Sequence, residues 1–172
     1  MSHRLILMRH AKSDWNVGVA DHQRPLSKRG RNSAQLVGQW MQGRQLIPEL
    51  VITSTAERAM QTCSYLQRGL QAKLNNIVES SDLYLADSEI MLDLIAQQDE
   101  QTESLMLVGH NPGMDELLCY LCGDNLPLSG NGKLMTTATL AIVELADGWG
   151  HIKPVENALL ELVRPRELAN SG

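Results

Sequence analysis

Apolar residues along this chain fall into short unbroken runs and into helical stripes, and the two kinds alternate. "LILM" at residues 5 to 8 opens the series, "ELVITS" at 49 to 54 and "SLMLVG" at 104 to 109 repeat it, and a weaker "NNIVES" lies at 75 to 80. Runs of this length with no polar alternation read as strands buried on both faces of a parallel sheet. Between them the period lengthens. Residues 27 to 44 place Ala34, Leu36, Val37, Trp40 and Met41 at mainly helical spacing behind a Ser27 N-cap. Residues 88 to 98 carry Ile90, Met91, Leu94 and Ile95 as one stripe. Ser54 and Glu57 match the S-x-x-E capping box, which predicts a helix starting where the second strand stops.

Near the end, "MTTATLAIVEL" and "HIKPVENALLELV" read as two strands joined by the turn "ADGWG". The expected fold class is therefore α/β, a three-layer α/β/α sandwich with a mostly parallel central sheet and an antiparallel C-terminal hairpin. One domain is expected over residues 1–165, with a short polar tail at 166–172.

Composition narrows the function classes more than the fold. With 15 basic against 20 acidic residues the net charge is −5, so no general attraction to nucleic acid or to an anionic membrane is expected, and an anion site has to be local. No stretch approaches the ~20 apolar residues that span a bilayer, and no leader-like segment opens the chain, so a cytoplasmic protein is expected. Phe is absent, which leaves the core to aliphatic residues and eight Met. Cys63, Cys119 and Cys122 suit a reducing compartment. "CYLC" at 119 to 122 lacks a second ligand pair, and its surroundings read as an amphipathic helix with two buried core thiols.

Two of the strand runs end the same way. "LILM" runs straight into Arg9 and His10, and "LMLVG" into His110 and Asn111. In open α/β sheets ligands bind at the carboxyl ends of the strands, where Ser54 and Arg58 also fall. Two arginines, two histidines and the N-termini of two helices at one edge describe a phosphate pocket. Taken singly, a strand-end His more often bonds a backbone carbonyl, and an Arg in a first helical turn is more often a surface charge; their repetition shifts the balance. The histidines show no H-x-x-x-H or H-x-H pair, and Arg9 would repel a dication, so no metal site and no cofactor are expected. "SGNGK" at 129 to 133 lacks P-loop spacing and precedes a strand, which excludes nucleotide binding by that route.

"LMRHAKSDW", "SxxxRAMQT" and "VGHNPGM", in this order, resemble the histidine phosphatase superfamily, and "RHAKS" with "RPLSKRG" at 24 to 30 is similar to its small SixA-type branch. The resemblance implies a phosphoglycerate mutase-like fold and a phosphatase that works without metal. His10 would be the nucleophile, and Arg9, Arg58 and His110 would hold the phosphoryl oxygens. Asp82 is the first candidate for the leaving-group acid, ahead of Glu79 and Asp87, and Lys12, Ser13, Arg24 and Asn111 are candidate substrate contacts, with Asp14 beside them. Ala11 and Thr55 stand where the family commonly has Gly and Pro.

Larger relatives roof the site with insertions, and the short connections here leave little room for a lid. The expected substrate is a phosphohistidine on a partner protein. A small-molecule phosphomonoesterase is the alternative, with a mutase behind it, and a phosphate-binding scaffold without turnover is the reading from outside enzymes.

Overall fold

The structure is a computed structural model describing residues 2–171. Eleven regular elements follow one another as β1 His3–Arg9, α1 Lys28–Gly43, β2 Leu50–Ser54, α2 Glu57–Leu70, β3 Ile77–Ser80, α3 Ser88–Ala96, β4 Ser104–Gly109, α4 Gly113–Cys122, β5 Leu140–Leu145, β6 Ala158–Val163 and α5 Pro165–Asn170. The strands form one sheet in the order β3-β2-β4-β1-β5-β6. β1 lies in its interior, parallel to β4 on one side and antiparallel to β5 on the other.

The unbroken apolar runs are explained by burial on both faces. Side chains alternate along a strand, so Leu5 and Leu7 of β1 join one core with Ile52, Leu105 and Leu107, while Ile6 and Met8 join a second with Val51, Met106 and Val108. The first core is closed by α3 and α4 through Met91, Ile95, Met114, Leu117 and Leu118. The second is closed by α1 and α2 through Val37, Met41, Cys63 and Leu66. The result is the expected α/β sandwich, mostly parallel with an antiparallel C-terminal pair.

α1 and α2 approach closely because each presents a glycine to the other. A Cβ at Gly38 would lie 2.1 Å from the Leu66 carbonyl oxygen, and one at Gly69 would lie 1.9 Å from that of Gln35. Side chains cannot occupy that space, so backbone meets backbone between the two helices.

Several local readings are corrected. α2 does not use Ser54 as its N-cap: the helix starts at Glu57 behind Ala56, whose position offers no capping side chain. Glu57 instead accepts a bond from Gln61 Nε2. β5 starts at Leu140 and β6 at Ala158, so the link between them is longer than a turn and contains the short 3-10 segment Trp149–His151. Trp149 there is fully buried. Most of residues 166–172, read as a polar tail, belongs to the helix α5 Pro165–Asn170, which lies against α1. Cys119 and Cys122 are only partly buried, whereas Cys63 is in the core. No helix among the described residues is long and apolar enough to cross a membrane.

Candidate active site

β1 and β4 end side by side, with Arg9 paired to Gly109, so the residues after them emerge together. His10 N–H donates to the Gly109 carbonyl, and the His10 carbonyl accepts from Ala138 N–H, which fixes the backbone on both sides of the imidazole. His10 and His110 are both buried, with ring centroids 5.1 Å apart. β2 ends one strand further along the sheet and contributes Ser54, while Arg58 reaches in from the first turn of α2. The structure thus gathers Arg9, His10, Arg58 and His110 around one space.

Chemistry settles the His10 tautomer. Its Nδ1 lies 2.8 Å from the Ala11 carbonyl oxygen, which can only accept, so Nδ1 carries the proton and Nε2 keeps its lone pair. Burial pushes the His10 pKa down to about 3; the Ala11 bond opposes it, and the nearby Arg58 and Arg9 add to the lowering. His110 is pushed down to about 4, by burial first and then by Arg58. Both rings are neutral at pH 7.

His110 Nε2 is 2.7 Å from Ser54 Oγ, which already accepts the Ala56 N–H. The Ser54 hydroxyl can donate its hydrogen to Nε2, and in that arrangement the His110 proton sits on Nδ1. Among the described residues, three buried side-chain nitrogens lack any partner: Arg9 Nε, Arg58 Nε and His110 Nδ1. Buried donors are nearly always satisfied, and an orphan in a native fold calls for an explanation. Here the orphans all belong to side chains gathered around His10. Unpartnered nitrogens on three side chains beside a neutral imidazole suit the binding of an oxyanion.

The remaining sequence candidates divide. Arg24 and Ser13 are buried and bonded to each other, and Arg24 also holds Asp21 at 2.6 Å, so Arg24 Nε and Nη1 brace the loop. Asn111 donates to the Met135 carbonyl, which also receives Arg9 Nη1, and accepts the Asp115 N–H, so its amide ties the start of α4 to the loop before β5. Lys12 is exposed, and its carbonyl anchors Ser27 at the start of α1. Asp82 is exposed in the 3-10 segment Ser81–Leu83, and Glu79 is exposed on β3. Neither makes a side-chain bond to the gathered residues. Asp87 caps α3 through the Ile90 N–H.

Sequence reasoning missed Asp21, His22 and Tyr84. The Asp21 carbonyl and carboxylate take both terminal nitrogens of Arg58, at 2.8 and 3.1 Å, and the carboxylate also accepts from Arg24 and from the Tyr84 hydroxyl. The Tyr84 bond first, then the arginines, hold the Asp21 carboxyl well below the usual carboxylate range. The same bond raises the Tyr84 pKa. Tyr84 also sets its ring edge against His110, at 5.6 Å between centroids, and His22 contacts both Tyr84 and Thr55. Asp21 lies three residues before Arg24, an ion-pair spacing visible in the sequence, but nothing in the sequence shows that the loop folds back over α2.

The model of the histidine phosphatase superfamily (branch 1) matches residues 5–83. The crystal structure of a putative phosphohistidine phosphatase SixA from Agrobacterium tumefaciens is similar over 95% of this chain and 98% of its own, with a TM-score of 0.79 and 32% identity. The chain belongs to the histidine phosphatase superfamily. An uncharacterised Mycobacterium tuberculosis protein is 31% identical over 163 residues, 92% of this chain and all of the relative. The phosphohistidine phosphatase SixA of Escherichia coli is 25% identical over 148 residues, 83% of this chain and 85% of its own. These likenesses place the chain in the SixA-type branch of the superfamily, and membership makes it a phosphatase of the hydrolase class.

Proposed function

We propose that this phosphatase removes the phosphoryl group from phosphohistidine on a partner protein, through a phosphorylated His10 and without a metal. The observation that carries the reading is the trio of unpartnered donors, Arg9 Nε, Arg58 Nε and His110 Nδ1, around a neutral His10. His10 Nε2 attacks phosphorus in line, forming a new N–P bond as the bond to the leaving group breaks. The arginines and His110 hold the oxygens and offset the charge that builds in the transition state. Water then breaks the His10 N–P bond, releasing phosphate and restoring the lone pair on Nε2.

Two features favour phosphohistidine over an alcohol phosphate. An alkoxide needs a proton donor as it leaves, and the carboxylate bonded to the site residues, Asp21, is held as a firm anion and is a poor one. Phosphohistidine carries a second ring nitrogen that can hold a proton, so its imidazole departs neutral without help. The loop carrying Asp21 also exposes Trp15, Val17 and Val19, which are 71%, 39% and 44% exposed, an apolar fringe suited to a protein surface. The three free thiols fit a cytoplasmic setting.

The test compares initial rates on a phosphohistidine protein, a phosphoserine peptide and a panel of sugar phosphates, with and without chelator. The expected result is fastest turnover of phosphohistidine, chelator-insensitive, with an acid-labile phosphoenzyme that His10→Ala abolishes. Faster turnover of a sugar phosphate would make the enzyme a small-molecule phosphomonoesterase, and vanadate binding with background turnover throughout would make it a scaffold.

A further inference from the structure

A cavity of about 1070 Å³ lies apart from the space around the nucleophile. It excludes His10, Arg58 and His110 and shares only Arg9 with the gathered residues. Its walls are the N-terminal half of α1, the turn at 129–133 and the start of α5. Those three elements bring Lys28, Arg29, Lys133 and Arg166 together with Lys12. All five are exposed, and among the described residues none makes an ion pair.

The one carboxylate in the wall does not neutralise them. Glu167 is bonded to Arg164, which is itself buried and committed to the Leu134 and Pro127 carbonyls. An unpaired cationic basin on a chain of net charge −5 is a concentrated field of opposite sign beside the reacting centre.

We infer that this basin docks an acidic surface of the phosphohistidine-bearing partner, so that substrate choice is made by charge outside the catalytic pocket; this rests on the function proposed above. A compact polyanion is the weaker fit. Small-anion sites hold their ligand with buried, preorganised donors, whereas these five side chains are exposed and spread over several elements, the arrangement that steers and orients a protein surface. Arg9 belongs to both regions, so an acidic flank seated in the basin leaves the adjoining phosphorylated residue at His10.

The experiment uses two phosphohistidine peptides that differ only in their flanks, one rich in Glu and the other with Gln at the same positions. Wild type and the Arg29→Glu/Lys133→Glu/Arg166→Glu variant are compared on both, with p-nitrophenyl phosphate as the control. Wild type is expected to favour the acidic peptide in kcat/KM by roughly tenfold or more at low ionic strength, fading as salt shortens the screening length. In the variant the ratio should fall to about one or below while p-nitrophenyl phosphate turnover holds. The milder Arg29→Gln/Lys133→Gln/Arg166→Gln variant, checked by circular dichroism, guards against misfolding and should give an intermediate ratio.

An equal rate of wild type on the two peptides, or a preference that survives charge reversal, overturns the docking role. If inositol hexakisphosphate binds wild type and not the variant while the peptide ratio stays put, the basin is a polyanion site and the inference is wrong. If wild type hydrolyses p-nitrophenyl phosphate and neither peptide, the phosphohistidine function fails, and the docking role falls with it.

Discussion

Asp21 controls Arg58 without touching the phosphoryl group in the proposed mechanism, and this makes it a positioning residue with a distinguishable signature. Both terminal nitrogens of Arg58 are committed to Asp21, leaving Nε as the free donor. Asp21→Asn keeps the shape but removes the charge that orients the guanidinium and compensates it. A loss of about 10²-fold in kcat/KM for p-nitrophenyl phosphate is expected, mostly in kcat, with Tyr84→Phe losing less. Unchanged kinetics in Asp21→Asn would show that Arg58 is placed by packing alone. The imidazoles give a second check. With pKa values pushed down to about 3 and about 4, the ring-carbon NMR signals of His10 and His110 should stay still between pH 5 and 8. A midpoint near 6.5 for either would refute the neutral, desolvated pair. Arg9, His10 and His110 could be brought together from sequence because a strand's end is a fixed point: the apolar run says where it stops, and the sheet says which stops are neighbours. Asp21 and Tyr84 could not, since their meeting depends on how two loops fold over α2, and no local periodicity encodes that.

Ser54 illustrates why element boundaries are harder to read than the elements themselves. Its S-x-x-E spacing is a genuine local signal for an N-cap, but the hydroxyl is engaged by His110 and by the Ala56 N–H, and the helix starts two residues later than a Ser54 cap would place it. Burial in a polar site overrode a propensity worth about 1 kcal/mol. The central strands β1, β2 and β4 were legible because double-sided burial leaves a continuous apolar signature; α5, at six residues with few buried groups, leaves almost none. The contact of α1 with α2 was also silent, because a glycine in a helix reads as a weakness until its neighbour is known. There it is a requirement: Gly38→Ala or Gly69→Ala forces a methyl into a backbone carbonyl. Each should cost at least about 1–3 kcal/mol and lower the melting temperature by several degrees, roughly 2–4 °C for each kcal/mol. Gly43→Ala, with nothing within 4 Å of its added Cβ, is the control and should not destabilise. Equal melting temperatures for Gly38→Ala and Gly43→Ala would mean that the helices can move apart freely.

Burying two neutral histidines beside two arginines ties the stability of the fold to pH, and the sign follows from proton counting. In the unfolded chain an imidazole takes up a proton below about 6.5. In the folded protein His10 resists until about 3 and His110 until about 4. Between those limits the unfolded state binds more protons, so unfolding becomes easier as pH falls, and the histidine contribution declines from pH 6.5 and is used up near 3, while the loss tied to the Asp21 carboxylate begins below about 4. The arginines enlarge the effect because they oppose each added charge. The loss should therefore shrink when one titrating ring is removed. His10→Asn cannot take up the proton in either state, so its urea-unfolding free energy should fall less steeply between pH 6.5 and 4.5 than that of the wild type. A phosphate analogue acts from the other side. Bound among Arg9, Arg58 and His110, vanadate or phosphate adds stability by mass action and supplies negative charge that makes protonation of His10 easier, so the acid slope should flatten in its presence. Parallel slopes for the wild type, with and without ligand, and for His10→Asn would show that the acid sensitivity arises elsewhere in the protein.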